Sequence, residues 1–152
     1  MSNFMSNFKD YSAMHAQSVC ILTSNYTTEP NSCTISSFSP ISSDKNNDFF
    51  SFSLLYSGFM ATTITLGTDV RISLLTALQE EAARYFVLNR KGGPIHNLNE
   101  VWQNSIGYIN SNIISEHRIG KSILYVAKNQ NIVFQNENKI PLVYRMRKYG
   151  LV

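Results

Sequence analysis

Short runs of strand-forming residues recur along most of this chain, and they constrain its fold more than any other feature. The runs are SVCILT (18–23), CTISSFS (33–39), FFSFSLLY (49–56), VRISLL (70–75), SIGYINSNIIS (105–115), IGKSILYVAK (119–128) and NIVFQ (131–135). Helical spacing appears in few places, so strands and helices do not alternate as they do in a doubly wound sheet. The pattern predicts a mainly β protein, a β-barrel with two or three peripheral helices.

The predicted helices differ in the strength of their signals. Apolar residues at helical spacing predict a short amphipathic helix over residues 4–16, and they are Phe4, Phe8, Tyr11 and Met14. Residues 58–66 are compatible with a second short helix. The strongest helix follows a capping box formed by Thr76 and Gln79 and ends before RKGGP (90–94). Its predicted apolar face consists of Leu78, Ala82, Tyr85 and Phe86.

Polar segments between the runs predict loops and turns. NYTTEPNS (25–32) contains Pro30 and is rich in turn-forming residues. SSDKNND (42–48) is predicted to be a polar loop, and KNQN (128–131) is predicted to be the turn of a β-hairpin.

Length and composition bound the class of protein. A chain of 152 residues with 43% hydrophobic residues predicts one globular domain spanning 1–152. The net charge of +3 comes from scattered Lys and Arg, so no nucleic-acid partner is expected. No run has the ~20 apolar residues of a membrane span, and MSNFMSNFKD (1–10) has no apolar signal region. Cys20 and Cys33 have no CxxC spacing and are expected to be reduced thiols in a cytoplasmic, soluble protein.

Common catalytic motifs are absent from the sequence. There is no GxGxxG, no GxxxxGK[ST] and no GxSxG. His15, His96 and His117 are far apart and form no metal-binding motif, so no metal site is expected. The adjacent Glu80 and Glu81 are better explained as a solvated helix face than as an acid–base pair. An enzyme with this sequence would therefore depend on a cofactor for its chemistry.

Two stretches carry an unusual density of hydroxyl side chains. They are CTISSFSPIS (33–42) and YSGFMATTIT (56–65), and each forms or follows a predicted strand. Small hydroxyls and backbone N–H groups on a rigid turn can bind a cofactor phosphate. Ordinary polar strands explain the same residues without a ligand, so both readings stay open on composition alone.

Six weak motifs occur along the chain in the same order as in the flavin reductase family, and the sequence resembles that family. SVCILT (18–23) is similar to the family's VTVVT strand, and TISSFSPIS (34–42) is similar to its T-V-S-S-F-x-S-V-S element. FSFSLLYSGFMATT (50–63) is similar to its next strand and S-x(4)-T-like segment. The remaining similarities are ISLL (72–75), ARYF (83–86), SEH (115–117) against G-D-H, and PLVY (141–144) with Tyr149. Nearly the whole chain is covered.

This resemblance implies an FMN-binding split β-barrel and a set of cofactor-binding residues. Thr34, Ser36 and Ser37 would line the flavin ring edge and ribityl chain, and Leu54 and Leu55 would pack against the isoalloxazine. The phosphate would be bound by Ser57, Thr62 and Thr63, for which helix capping is the alternative.

The resemblance also implies residues near the second substrate. His117 would lie beside the nicotinamide or the flavin pyrimidine, where it is the candidate catalytic residue. Arg84 and Phe86 would border the pocket, and Tyr144 and Tyr149 would close it, in the same or a neighbouring subunit.

The implied activity is an NAD(P)H-dependent flavin reductase, which transfers a hydride from nicotinamide to FMN or FAD and supplies reduced flavin to a monooxygenase. A homodimer is expected. SEH in place of G-D-H favours one alternative, a split barrel that binds flavin without reductase turnover. The other is a flavin-free β-barrel that binds oligonucleotides, against which the sparse basic residues argue.

Overall fold

The structure is a computed structural model that describes residues 7–88, 92 and 96–150. Three α-helices lie in this part of the chain: α1 (Phe8–Ala13), α2 (Glu80–Leu88) and α3 (Leu98–Asn104). The strands are β1 (Gln17–Ser18), β2 (Cys20–Ser24), β3 (Asn31–Ile35), β4 (Ser39–Asp44), β5 (Asn47–Leu55), β6 (Asp69–Leu74), β7 (Gly107–Ile119), β8 (Ser122–Phe134), β9 (Val143–Arg145) and β10 (Lys148–Gly150). Short 3-10 turns cover Met60–Thr63 and Ala77–Gln79. The prediction of a mainly β fold is confirmed.

Seven antiparallel strands form the main sheet, in the order β3-β2-β6-β7-β8-β5-β4. Side chains of six of these strands converge on one apolar core, because the sheet curls around it. In β5 and β8, alternate residues point inward: Phe52 and Tyr125 are opposite each other, fully buried and stacked with ring centroids 5.2 Å apart. The main sheet is therefore a barrel with a packed interior.

A second apolar layer lies outside the barrel. Val19 and Ile21 of the β2 region pack with Ala83 and Phe86 of α2 and Val101 of α3.

The capping box at Thr76 and Gln79 is present, with the Thr76 N–H donating to Gln79 Oε1 at 3.0 Å. On the predicted apolar face, Ala82 and Phe86 are buried and Tyr85 is half-buried, whereas Leu78 is 84% exposed. Leu78 was wrongly placed on that face because it lies in the 3-10 turn before α2.

Two turn predictions are wrong, because hairpin pairing overrides local composition. Residues 42–48 belong to a β4–β5 hairpin whose turn residues Lys45 and Asn46 have positive φ angles of 47° and 71°. KNQN (128–131) lies inside β8, and the β7–β8 hairpin turns instead at Gly120, where φ is 59°. The asparagines of KNQN bond across the sheet: Asn129 donates to Asp48, and Asn131 accepts from Asn110.

The helix predictions need smaller corrections. In the described residues the first helix covers Phe8–Ala13, and residues 4–6 of its predicted range lie outside the described part. The predicted helix over 58–66 reduces to the turn Met60–Thr63. Sequence reasoning missed α3, although Asn97 caps it by accepting from the N–H of Glu100 at 2.9 Å. Most of RKGGP (90–94) lies outside the described residues.

Among the helices in the described part of the chain, none has the length and apolar character needed to cross a membrane.

Candidate functional site

A cavity of about 430 Å³ opens between β3, the end of β5 and α2. Its wall contains six residues singled out from the sequence: Thr34, Ser36, Ser37, Leu54, Leu55 and Phe86. The remaining wall residues are Cys33, Ile35, Ser53, Gly58, Phe59, Met60, Ala61 and Val87. Side chains predicted from separate segments of the sequence are thus brought together in one concave surface.

The end of β3 creates one wall of this cavity. Strand pairing stops at Ile35, although the alternation of CTISSFS predicted a strand that continued to Ser39. In residues 36–38 the backbone leaves the sheet and crosses to β4. The N–H groups of Ser36 and Ser37 donate to no other described residue. Since backbone donors normally have partners, these two are available to a ligand in the cavity.

Ser37 closes the gap between the two strands that border the cavity. Its hydroxyl accepts a hydrogen bond from the Ser53 N–H at 3.0 Å and donates to the Ser53 carbonyl at 3.1 Å. The side chain therefore replaces a missing strand partner for β5. This hydroxyl is occupied, so Ser37 offers a ligand chiefly its backbone.

The hydroxyls of Thr34 and Ser36 differ in whether they already have a hydrogen-bond partner. The Thr34 hydroxyl donates to the Ala83 carbonyl at 2.6 Å and joins β3 to α2. Ser36 is half-buried, and its hydroxyl has no hydrogen-bond partner among the described residues. Of the three hydroxyl residues predicted to contact flavin in this stretch, Ser36 is the one whose side chain remains free to do so.

The second hydroxyl-rich stretch does not contribute its hydroxyls to the cavity wall. Thr62 donates to the Phe59 carbonyl at 2.6 Å, and Thr63 donates to the Met60 carbonyl at 2.8 Å. Thr63 also bonds to Ser24 at the end of β2. Ser57 precedes the lining residue Gly58 without itself lining the cavity. Both threonines thus donate to carbonyls of their own 3-10 turn. This is not the N-capping alternative, because no described side chain caps the turn.

The apolar part of the wall is anchored in both cores. Leu54 packs against the barrel interior, and Phe86 is 1% exposed in the outer layer. Both also line the cavity. Their positions follow from ordinary periodicity in β5 and α2, so core packing and cavity lining are compatible for these two residues.

A smaller cleft of about 160 Å³ continues the cavity toward the C-terminal hairpin. The two share Thr34, Ile35, Ser36 and Val87, and the cleft adds Val19, Tyr144 and Tyr149. The rings of the two tyrosines lie 5.1 Å apart, and burial raises the pKa of Tyr149. The paired strands β9 and β10 place these tyrosines directly opposite each other. The cleft therefore has an aromatic edge.

Arg84 lies beside this edge and is already paired. Its guanidinium is 4.9 Å from the Tyr149 ring centroid, and Nε and Nη2 both donate to Glu80 Oε2, at 2.9 and 2.7 Å. The exposed salt bridge offsets the positive charge at this point. No charged side chain appears among the described residues that line the main cavity.

His117 is not part of the cavity wall. It lies on β7 opposite Leu124 of β8, which in turn lies opposite the wall residue Ser53. Directly opposed residues share a face of the sheet, so His117 is on the same face as Ser53 but two strands away, about 10 Å. It is exposed and lies 3.3 Å from the Ser115 hydroxyl.

Sequence reasoning missed several wall residues. Cys33 is half-buried in the wall, and burial raises the pKa of its thiol to about 12, so the thiol is neutral at ordinary pH. Ser53 and Val87 were also missed. Alternation along β5 places Ser53 and Leu54 on opposite faces, so strand periodicity gave no signal that both line the cavity. The approach of Val87 to Ser36 depends on how α2 packs on β3.

The donor set fits a flavin better than a metal. Within residues 7–88, 92 and 96–150, no three His, Cys, Asp or Glu side chains lie close enough to bind a metal ion. A planar ring with a hydroxylated chain needs an apolar wall, neutral donors and a volume of several hundred Å³. The cavity supplies Leu54 and Phe86, the free N–H groups of Ser36 and Ser37, and the Ser36 hydroxyl.

Comparison with known proteins identifies the class of this barrel. The profile of the Flavin reductase like domain family matches residues 12–152, and the chain belongs to this family. The predicted family resemblance is confirmed. No curated protein matches the chain.

Solved structures with low sequence identity share the fold. A flavin reductase domain protein from Arthrobacter sp. FB24 is 21% identical, with a TM-score of 0.80 over 95% of this chain and 93% of that one. The styrene monooxygenase flavin reductase from Pseudomonas putida S12 is 20% identical, with a TM-score of 0.79 over 97% of each chain. An NADH:FAD oxidoreductase from Streptomyces globisporus C-1027, in complex with NAD and FAD fragments, is 14% identical, with a TM-score of 0.77 over 93% of this chain and 88% of that one. The fold is the split barrel of flavin reductases.

Proposed function

We propose that this protein is an NAD(P)H-dependent flavin reductase that transfers a hydride from reduced nicotinamide to FMN or FAD. The observation that carries the proposal is the cavity at the end of β3, where free backbone donors face an apolar wall in a flavin reductase-like domain. A cavity with these groups can hold a flavin without charged side chains.

Different wall residues would bind different parts of the flavin. Leu54 and Phe86 would pack against the flavin ring, and the N–H groups of Ser36 and Ser37 with the Ser36 hydroxyl would bind its polar edge. The hydroxyls of Thr34 and Ser37 would act indirectly, by holding α2 and β5 in place. Ser57, Thr62 and Thr63 remain the proposed phosphate-binding residues. Ser57 is the best candidate of the three, because the hydroxyls of Thr62 and Thr63 and the N–H of Thr62 already donate to backbone carbonyls.

The flavin supplies the hydride-accepting chemistry when bound, so the protein must orient two ring systems and exclude water between them. The cleft beside Tyr144 and Tyr149 is the proposed approach for the nicotinamide nucleotide, because it joins the main cavity and carries aromatic rings. Arg84 lies at this entrance. His117 would approach the bound substrates across the outer face of the sheet, from two strands away.

An anaerobic absorbance experiment tests the proposal. The purified protein is mixed with FMN, and in parallel with FAD, and NADH or NADPH is then added. We expect loss of the flavin absorbance at about 450 nm at a rate that increases with protein concentration. Flavin that binds without being reduced by either nucleotide would contradict reductase activity, and absence of flavin binding would contradict the assignment of the cavity.

The same assay tests His117. We expect His117→Ala to lower the turnover of reduced nicotinamide about tenfold or more while the flavin dissociation constant changes by less than about threefold. Unchanged turnover would remove His117 from the site. Arg118→Ala is a matched control on the same strand, because Arg118 stacks on the Tyr56 ring at 3.5 Å and lines neither cleft.

The second candidate function is flavin binding without reductase turnover, as in an electron carrier. The position of His117 favours it, because this side chain is bonded to Ser115 and does not reach the cavity wall. In that case flavin would copurify with the protein in stoichiometric amount and would not be bleached by NADH or NADPH.

We also propose the wider context that the family suggests. Residues 1–152 would form one flavin reductase-like domain that works as a homodimer in the cytoplasm and delivers reduced flavin to a monooxygenase. The styrene monooxygenase flavin reductase, whose fold this chain shares, is named for such a partnership. Gel filtration with light scattering and a coupled oxygenase assay are the direct measurements.

A further inference from the structure

Arg71 is held inside a group of three aromatic rings, apart from the residues that line the flavin cavity. Its guanidinium carbon lies 4.4 Å from the Tyr26 ring centroid, 4.4 Å from that of Trp102 and 4.1 Å from that of Tyr108. Its Nε donates to Asn110 Oδ1 at 2.7 Å. None of these residues lines the flavin cavity or the adjoining cleft.

The surrounding elements fix this guanidinium from several directions. Tyr26 follows β2, where the N–H of the preceding Asn25 donates to the Asp69 carbonyl. Trp102 belongs to α3, and Tyr108 belongs to β7. The amide of Asn110 is itself oriented, because its Nδ2 donates to Asn131 at 3.0 Å. Because both its packing and its hydrogen bond are set, the Arg71 side chain has little freedom to lose on binding a ligand.

The positive charge has no carboxylate partner. The described residues place no Asp or Glu oxygen within 4.0 Å of Arg71, and its two terminal nitrogens have no hydrogen-bond acceptor among them. The side chain is half-buried, and burial lowers the pKa of its guanidinium. Aromatic faces stabilise the charge in part, but they leave the terminal N–H donors unused.

We infer that Arg71 is a binding site for an oxyanion, a phosphate or carboxylate group of a ligand or partner. A guanidinium offers two parallel N–H donors that match the two oxygens of such a group. The three rings hold the donors in place, and the partly exposed side chain leaves access to solvent. This site is independent of flavin reduction, and its test does not require that the proposed function be correct.

The single tryptophan of the chain reports on the site, because Trp102 touches the guanidinium. Inorganic phosphate is titrated into the full-length protein while KCl keeps the ionic strength constant, and the intrinsic fluorescence is followed. We expect a saturable change with a midpoint in the millimolar range. Acetate in a parallel titration distinguishes the two anions: a saturable response to acetate supports a carboxylate site, and a response to phosphate alone supports a phosphate site.

Variants separate binding from packing. Arg71→Lys keeps the charge but loses the two-pronged donor, and we expect its midpoint to rise roughly tenfold. Arg71→Met should abolish the saturable change, and Arg118→Met, which alters another ring-stacked arginine, should leave it intact. Phosphate should also raise the melting temperature of the wild type more than that of Arg71→Lys. This comparison tests the inference even if Arg71→Met fails to fold. The inference would be overturned if the wild type showed no saturable response to either anion. It would also be overturned if Arg71→Lys responded with the same midpoint as the wild type.

Discussion

The two hydroxyl-rich stretches, residues 33–42 and 56–65, look alike in sequence but have different roles in the structure. In the first, Thr34 and Ser37 bond to distant backbone groups, at Ala83 and Ser53, while Ser36 stays free in the cavity wall. In the second, the threonine hydroxyls mainly satisfy carbonyls three residues earlier in the same turn. A hydroxyl can thus bond to a distant element, bond to a carbonyl of its own turn, or remain unbonded and available to a ligand.

This difference shows why hydroxyl content alone is a poor guide to a binding site. A serine or threonine readily bonds to nearby backbone, and such a bond removes it from the groups available to a ligand. What marks residues 36–37 is the loss of strand pairing beyond Ile35, which leaves backbone donors unpaired beside a cavity. The candidate site is defined by backbone N–H groups that have no hydrogen-bond acceptor among the described residues.

The largest effect is expected for Ser37→Ala. This change leaves both the N–H and the carbonyl of Ser53 without their side-chain partner, and we expect the free energy of unfolding to fall by about 1–3 kcal/mol. The measurement is urea denaturation. Thr62→Ala is the control from the second stretch, where an exposed local bond is lost at a cost within about 0.5 kcal/mol. Equal costs would mean that Ser37 does not hold the two strands together.

A smaller loss is expected for Thr34→Val, which keeps the shape of the side chain but removes its bond to Ala83 in α2. We expect the free energy of unfolding to fall by about 1 kcal/mol. Thr34→Ser keeps a hydroxyl and should recover most of that loss in the same urea titration. If valine and serine variants are equally stable, the bond between β3 and α2 contributes nothing measurable.

Ser36→Ala should separate ligand binding from stability. Its hydroxyl has no described partner, so the free energy of unfolding should change by less than about 0.5 kcal/mol. If the cavity binds flavin, the dissociation constant for FMN, from fluorescence quenching, should rise by roughly threefold to tenfold. Thr62→Ala should leave that constant unchanged. The reverse ranking of the two variants would move the flavin site to the second stretch.

The smallest effect concerns Cys33, the first residue of the first stretch, and appears only at alkaline pH. Burial raises the pKa of its thiol from 9.0 to about 12 in the folded protein. Below pH 9 the thiol is protonated in both states, so it adds no pH dependence. Between pH 9 and about 12 the unfolded chain releases the proton first, so the free energy of unfolding must fall as pH rises.

Urea titrations at about pH 8.5 and about pH 10.5 measure this slope, with Cys33→Ala as the control. Other groups titrate in the same range, so the informative quantity is the difference between the two proteins. We expect the wild type to lose more stability than Cys33→Ala over this interval. Equal losses would show that the Cys33 thiol is not desolvated in the folded protein.

Local signals were sufficient where one element satisfies itself. The capping box at Thr76 and Gln79 marks the start of a helical segment through neighbours three residues apart, and alternation in 49–55 marks β5. Local signals failed for KNQN (128–131), because pairing with β7 through Lys128, Asn129 and Asn131, and with β5 at Lys128, keeps β8 extended through a turn-prone sequence. They also failed for Leu78, which sits just outside the helix that its spacing suggested.

The candidate site was predictable in part for the same reason. Motif order brought Thr34, Ser36, Leu54 and Phe86 into one hypothesis, and the structure places all four in one cavity wall. The motifs could not separate Ser57, Thr62 and Thr63 from that wall, nor bring Cys33, Ser53 and Val87 into it. Those distinctions depend on how α2 and the 3-10 turn pack against the barrel.

The sequence by itself determined the mainly β character and the start of the helical segment at Thr76, because each is encoded in residues a few positions apart. Tertiary structure alone decided which hydroxyls are free. The partners of Thr34 and Ser37 lie 49 and 16 residues away along the chain, and those bonds exist only once β3, β5 and α2 have come together. Hydrogen-bond availability is a property of the folded chain, since a donor is free only after every competing acceptor has been placed.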